Sequence, residues 1–290
     1  MKTDKKIEKL QNLIERITTK ESAYRARHLI RVLENALNSG NLEIDILRKS
    51  DGVVRGIAQT LDYLTGKTKI FDEAYGGWGL YKPVTEGVHP GEYALRFAKI
   101  GGKAKASGEG AGWYAEFHDE SKASGEDTGW YAEFHDESKA SGEWAGVKAR
   151  FYDKSKASGR YAGKFAKFYD KSKASGKWAG KSAEFHDKSE ASGWRAGWYA
   201  EFHGESEASG KWAGLKARFY DKSKASGRYA GRLAKFYDKS EASGQWAGRD
   251  AEFHGKSEAS GKRAGWYAEF HGKSEASGED AGEMARFYDK

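Results

Sequence analysis

Residues 105–121 read KASGEGAGWYAEFHDES, and residues 122–138 read KASGEDTGWYAEFHDES. The same 17-residue frame opens again at 139, 156, 173, 190, 207, 224, 241, 258 and 275, so 105–290 hold eleven units, the last one residue short. Their consensus is [KE]-A-S-G-x-x-A-G-x-x-A-[EKR]-F-[HY]-[DG]-[KE]-S, with no insertion or deletion between units. A period kept this strictly implies that each unit stacks on its neighbours, because a one-residue slip would turn every side chain to the wrong face.

Gly stands at unit positions 4 and 8 of every copy. Each would cost about 1 kcal/mol inside a helix, which excludes a helical repeat. The run A-x-F-x-D-x-S-x-A instead alternates small or aromatic residues with charged ones, the period of a half-buried strand. Ala115, Phe117, Ser121 and Ala123 are expected to face inward, and Glu116, His118, Glu120 and Lys122 outward. Position 15 is Asp in eight units and Gly in three (Gly204, Gly255, Gly272), an exchange that marks a corner, and Gly at position 4 marks another. Each unit is then one coil of two or three short strands, and eleven coils about 4.8 Å apart make a rod roughly 50 Å long. This cadence resembles tandem-repeat β-solenoid (parallel β-helix) proteins in general, over about two thirds of the chain. The resemblance implies a fold and no activity. The isoleucine-rich six-residue period of the hexapeptide acyltransferases is absent, so no catalytic residue carries over. The threonine ladder of insect-type ice-binding solenoids is absent too, Thr128 being the single threonine of the array.

A longer period lies inside the short one. Position 14 alternates two by two, from His118 and His135 to Tyr152 and Tyr169 and onward, and the unit at 156 recurs almost unchanged at 224. The array therefore reads as grown from 68-residue blocks. Upstream, the template fits 88–104 in part: Gly91, Tyr93, Ala94, Ala98, Gly102 and Ala104 fall on its positions, and Leu95, Phe97 and Ile100 put bulkier apolar groups there. That segment is expected to plug the open end of the stack. The last unit, with Glu279, Asp280, Glu283 and Met284 where inner units carry rings, reads as a more polar cap. Further upstream, Ile7, Leu10, Leu13, Ile14 and Ile17, then Ala26, Leu29, Ile30, Leu33 and Leu37, recur at helical spacing. The expected fold class is thus an α+β two-part chain: a small N-terminal α-helical bundle over 1–66, a connector and degenerate capping coil over 67–104, and a β-solenoid of 17-residue coils over 105–290.

Composition narrows the chemistry. With no cysteine, disulfides, zinc–thiolate sites and thiol nucleophiles are excluded. The N-terminal MKTDKKIEKLQNLIERI has no apolar signal core and no stretch is apolar enough to span a bilayer, so a cytoplasmic chain without membrane contact is expected. Fifty basic and 43 acidic residues leave +7, a small surplus on a densely charged surface.

Trp144, Tyr161, Trp178, Trp212, Tyr229 and Trp246 recur at position 6, beside Arg160, Lys177, Lys211 and Arg228 at position 5. Rings one coil apart with cations beside them could stack bases or sugars. Alternatively they fill a thin core, since most units lacking a ring at position 6 carry Trp113, Trp130, Trp198 or Trp266 at position 9. The histidines of position 14 alternate with Tyr, a poor ligand for the metals His favours, and read as an aromatic ladder. The Asp residues of position 15 read as turn formers, the Ser residues of positions 3 and 17 belong to no distinctive triad, and Arg25, Arg27, His28 and Arg31 read as a solvated helix face. No metal, cofactor or catalytic residue is expected. The expected function is a non-enzymatic repeat scaffold that presents aromatic and charged stripes to a macromolecular partner, a protein or a second copy of itself. Nucleic-acid binding and self-assembly into a filament or oligomer are the alternatives.

Overall fold

A computed structural model describes residues 85–91, 94–95 and 98–288. The helical bundle expected over 1–66 and most of the connector lie outside the described residues. Within them the chain winds as a parallel β-solenoid of twelve coils, the eleven repeats preceded by 88–104. Each coil contributes two strands, not three. One covers unit positions 1–3, as in Lys105–Ser107, and the other positions 12–13, as in Glu116–Phe117. The first set builds one 12-stranded parallel sheet and the second set another. Every strand pairs with its equivalent 17 residues away, Ala106 with Ala123 and Phe117 with Phe134.

The core is thin and repetitive. Ala at positions 2, 7 and 11 and Phe at position 13 are almost fully buried through the inner coils, together with Ser at position 17. Phe rings of successive coils stack with centroids 4.6–4.8 Å apart. Ala115, Phe117, Ser121 and Ala123 do face inward and Glu120 and Lys122 outward, while Glu116 and His118 are half-buried. The buried serines are not orphaned throughout: Ser206 Oγ donates to the Phe185 carbonyl of the coil before, and Ser257 does the same to Phe236.

Gly at position 8 is required by the neighbouring ring. At Gly180, with φ +63°, a Cβ would come within 2.9 Å of Phe185 Cε2. At the position-4 corner a Cβ would press on the coil before, as at Gly227, where it would lie 2.7 Å from the Gly210 carbonyl oxygen.

The described residues of 88–104 form a first coil that pairs with the repeat at 105 through both of its strands. Val88–Pro90 pairs with Lys105–Ser107 and Lys99–Ile100 with Glu116–Phe117, while Leu95 and Ile100 are fully buried. At the other end Phe287 stacks on Phe270 at 4.8 Å yet stays 51% exposed, so the last coil leaves its own core ring open to solvent.

Candidate binding face and the charged sheet face

Between the Gly corner at position 4 and the buried Ala at position 11, six residues form an arc in which pairs of residues alternate. Positions 7 and 8, Ala and Gly with one Thr, are buried in the inner coils, and positions 5, 6, 9 and 10 form an outer layer that is mostly exposed or half-buried, although Trp113, Tyr114, Val147 and Leu215 within it are buried. The backbone achieves this with left-handed φ at positions 6, 8 and 10 of each coil, even where the residue is bulky: Trp178 has φ 58°, Phe165 58° and Leu233 57°. Such a conformation costs roughly 1–2 kcal/mol per L-residue. It also departs from strand pleating, so side-chain directions here do not follow the two-residue alternation.

The arc places Trp144, Tyr161, Trp178, Trp212, Tyr229 and Trp246 outside the Phe core, half-buried against one another. Trp144 stacks on Tyr161 at 4.4 Å, Tyr161 on Trp178 at 4.9 Å and Trp212 on Tyr229 at 4.6 Å. The exchange of rings between positions 6 and 9 keeps the filling of this outer face constant: Trp246 lies 4.4 Å from Trp266 of the next coil. Cations cover the rings. Arg160 lies over Tyr161 and Trp178, Lys177 over Trp178 and Trp194, and Arg228 over Tyr229, at 4.6–5.5 Å from the ring centres. Lys181 over Trp198 and Arg195 over Trp194 belong to the same surface and were not picked out from the sequence. Lys211 is exposed beside Trp212.

Charge is concentrated here. In the eight coils from 139 to 274, positions 5, 6, 9 and 10 carry Lys148, Arg160, Lys164, Lys177, Lys181, Arg195, Lys211, Lys216, Arg228, Arg232, Arg249, Lys262 and Arg263 against Glu143 and Asp250. That is thirteen cations to two anions on one face, a larger surplus than the +7 of the whole chain. Arg160, Arg232, Arg249, Lys262 and Arg263 also reach carboxylates. Burial, and then the like charge of Lys181, hold Lys164 below the ordinary lysine value. The indole N–H groups of Trp178, Trp198 and Trp266 are buried without an acceptor, whereas Trp130 Nε1 donates to the Trp144 carbonyl.

By contrast, the corner between positions 16 and 1 has a furrow of about 360 Å³ lined by Lys154, Lys156, Lys171, Lys173, Lys188 and Glu190. Several of its lysines are neutralised by carboxylates: Lys154 by Glu137, Lys173 by Glu190 and Lys188 by Glu205. Position 15 is the turn expected. Its Asp residues have φ 55–59°, and each carboxylate serves the neighbouring coil, as where Asp136 Oδ2 accepts the Asp119 N–H at 3.1 Å and Asp238 Oδ2 accepts that of Asp221 at 3.4 Å.

Position 14 forms an unbroken ring ladder along the outside of the second sheet, His118 on His135 at 4.8 Å through to His271 on Tyr288 at 4.7 Å. Position 12 beside it varies in step. Where position 14 is His, position 12 is Glu, and where it is Tyr, position 12 is Arg or Lys. From Glu116 to Arg286 the row therefore runs two acids, two bases, two acids, two bases, two acids and one base. Adjacent opposite charges pair: Arg218 with Glu201 at 2.6 Å, Lys235 with Glu252 at 2.8 Å and Lys167 with Glu184 at 2.7 Å. Each His also approaches the Glu of its own coil, as His254 does Glu252 at 3.5 Å.

Among the described residues no group of three or more His, Asp or Glu side chains is placed to hold a metal ion, and no helix is long and apolar enough to cross a membrane. The position-17 serines lie inside the core. No model of a known protein family matches the chain, and no curated protein or solved structure matches it either.

Proposed function

We propose that the chain is a non-enzymatic binding rod whose arc face takes a polyanionic macromolecule, a nucleic acid, by its phosphate backbone. One observation carries this: of the thirteen Lys and Arg on one face of eight consecutive coils, eight remain once the five that reach carboxylates are set aside. The aromatic rings support it in a specific way. A carboxylate neutralises the cation it holds, whereas a ring positions a cation and leaves its full charge to act outward.

The same geometry argues against base stacking. Trp144, Tyr161 and Trp178 already present their faces to one another, so a base would have to part them. The binding is therefore sequence-independent and dominated by counterion release. Fluorescence anisotropy with labelled single-stranded and duplex DNA tests it. Binding is expected at about 50 mM salt, with a loss of roughly 10³-fold in affinity by about 200 mM. Combining Lys164→Glu, Lys181→Glu and Lys216→Glu should lower affinity at least roughly tenfold at constant salt while leaving the circular dichroism spectrum unchanged. Absence of binding to either DNA at the lower salt would refute the proposal.

A further inference from the structure

The row of charges on the second sheet is self-complementary, and we infer that this face joins two copies of the chain antiparallel. Number the repeats from one, at 105, to eleven, at 275. If the partner is turned about an axis that crosses the rods between the sixth and seventh repeats, each repeat from the second to the eleventh faces the repeat whose number completes thirteen. Glu133 then meets Arg286 of the second copy, Lys167 meets Glu252 and Glu201 meets Arg218, and the two pairs between these are opposite in sign as well.

The ladder at position 14 obeys the same rule, because each Glu-x-His coil lies opposite an Arg-x-Tyr or Lys-x-Tyr coil. A shift of the partner by two coils sets like charge against like at every step, and a shift of four restores the match over at most eight coils, so the ten-coil register is the best matched. Because both copies have the same coil spacing, a match made at one coil is kept along ten. The ion pairs within each copy, such as Arg218 with Glu201, run along the row, so docking would exchange or share these partners and add none that is wholly new. This surface is separate from the arc face, and neither inference depends on the other.

Two charge-reversed chains test the docking. Glu184→Lys with Glu201→Lys makes the four central coils all basic, and Arg218→Glu with Lys235→Glu makes them all acidic. In sedimentation velocity the unaltered protein should dimerise, each reversed chain alone should dimerise at least roughly tenfold more weakly, and the equimolar mixture should recover the dimer. Recovery also shows that both variants fold.

The chain has no cysteine, so single introduced thiols report orientation. Mixed Arg150→Cys and Glu269→Cys chains should give a covalent dimer on oxidation, and neither variant alone should. A wild-type protein that stays monomeric at its highest soluble concentration, reversed chains that each self-associate like wild type, or cross-linking of Arg150→Cys to Glu184→Cys chains in place of Glu269→Cys would overturn the antiparallel pairing.

Discussion

Two glycines in this chain do opposite things. Gly180 adopts φ +63° with the Phe185 ring against its Cα, so a methyl group there is strained in the backbone and crowded in the core. Gly180→Ala should destabilise the protein by about 2–4 kcal/mol, read as a fall in the denaturant midpoint. Gly255 sits at a corner where other coils carry Asp, and an Asp there would accept the Asp238 N–H as Asp238 itself accepts that of Asp221. Gly255→Asp should be more stable than Gly255→Ala, which carries the same backbone strain without the carboxylate, by about 1 kcal/mol. Equal midpoints for the two variants would contradict the role given to the Asp ladder. The corner was legible from the Asp/Gly exchange alone. The bond from each Asp to the amide of the coil before was not, because a unit read in isolation has no neighbour to accept from.

At the level of elements, the two strands and their facing were legible because Phe and Ala alternate with charge at the strand period. The arc was not. Trp and Tyr at position 6 take left-handed φ, which sends them outward in pairs with position 5, so the strand rule gave no direction for them. A signal was present: positions 7 and 8 are almost always Ala and Gly, whereas 5, 6, 9 and 10 accept nearly any chemistry, as solvent-facing positions do. The tie between positions 12 and 14 was equally readable and equally missed. It has a measurable consequence in the Lys235–Glu252 pair. The hydrogen bond from Lys235 holds the Glu252 carboxyl below the usual glutamate range, against the opposing pull of burial. A carboxyl depressed in the folded state contributes stability in full above the unfolded glutamate pKa, and that contribution fades as pH falls through the folded value. Both side chains are more than a third exposed, which keeps the effect to a fraction of a kcal/mol. Lys235→Ala should bring the Glu252 pKa upward in an NMR titration; a value that stays put would mean the pair does not hold in solution.

Over the described residues the solenoid is close to one-dimensional, each coil pairing with the coils on either side, so the length of the array and its function should scale together. Removing residues 156–223, one 68-residue block, joins two coils in register and should leave a shorter folded rod with the same circular dichroism per residue. The deletion takes away seven of the thirteen arc-face cations, Arg160, Lys164, Lys177, Lys181, Arg195, Lys211 and Lys216. The most direct test of the polyanion face is therefore the slope of log affinity for single-stranded DNA against log salt, measured for the full chain and for this deletion. Each phosphate neutralised contributes about 0.7 to that slope, so the deleted protein should show roughly half the full chain's value. Equal slopes for the two proteins would place the binding elsewhere and contradict the account.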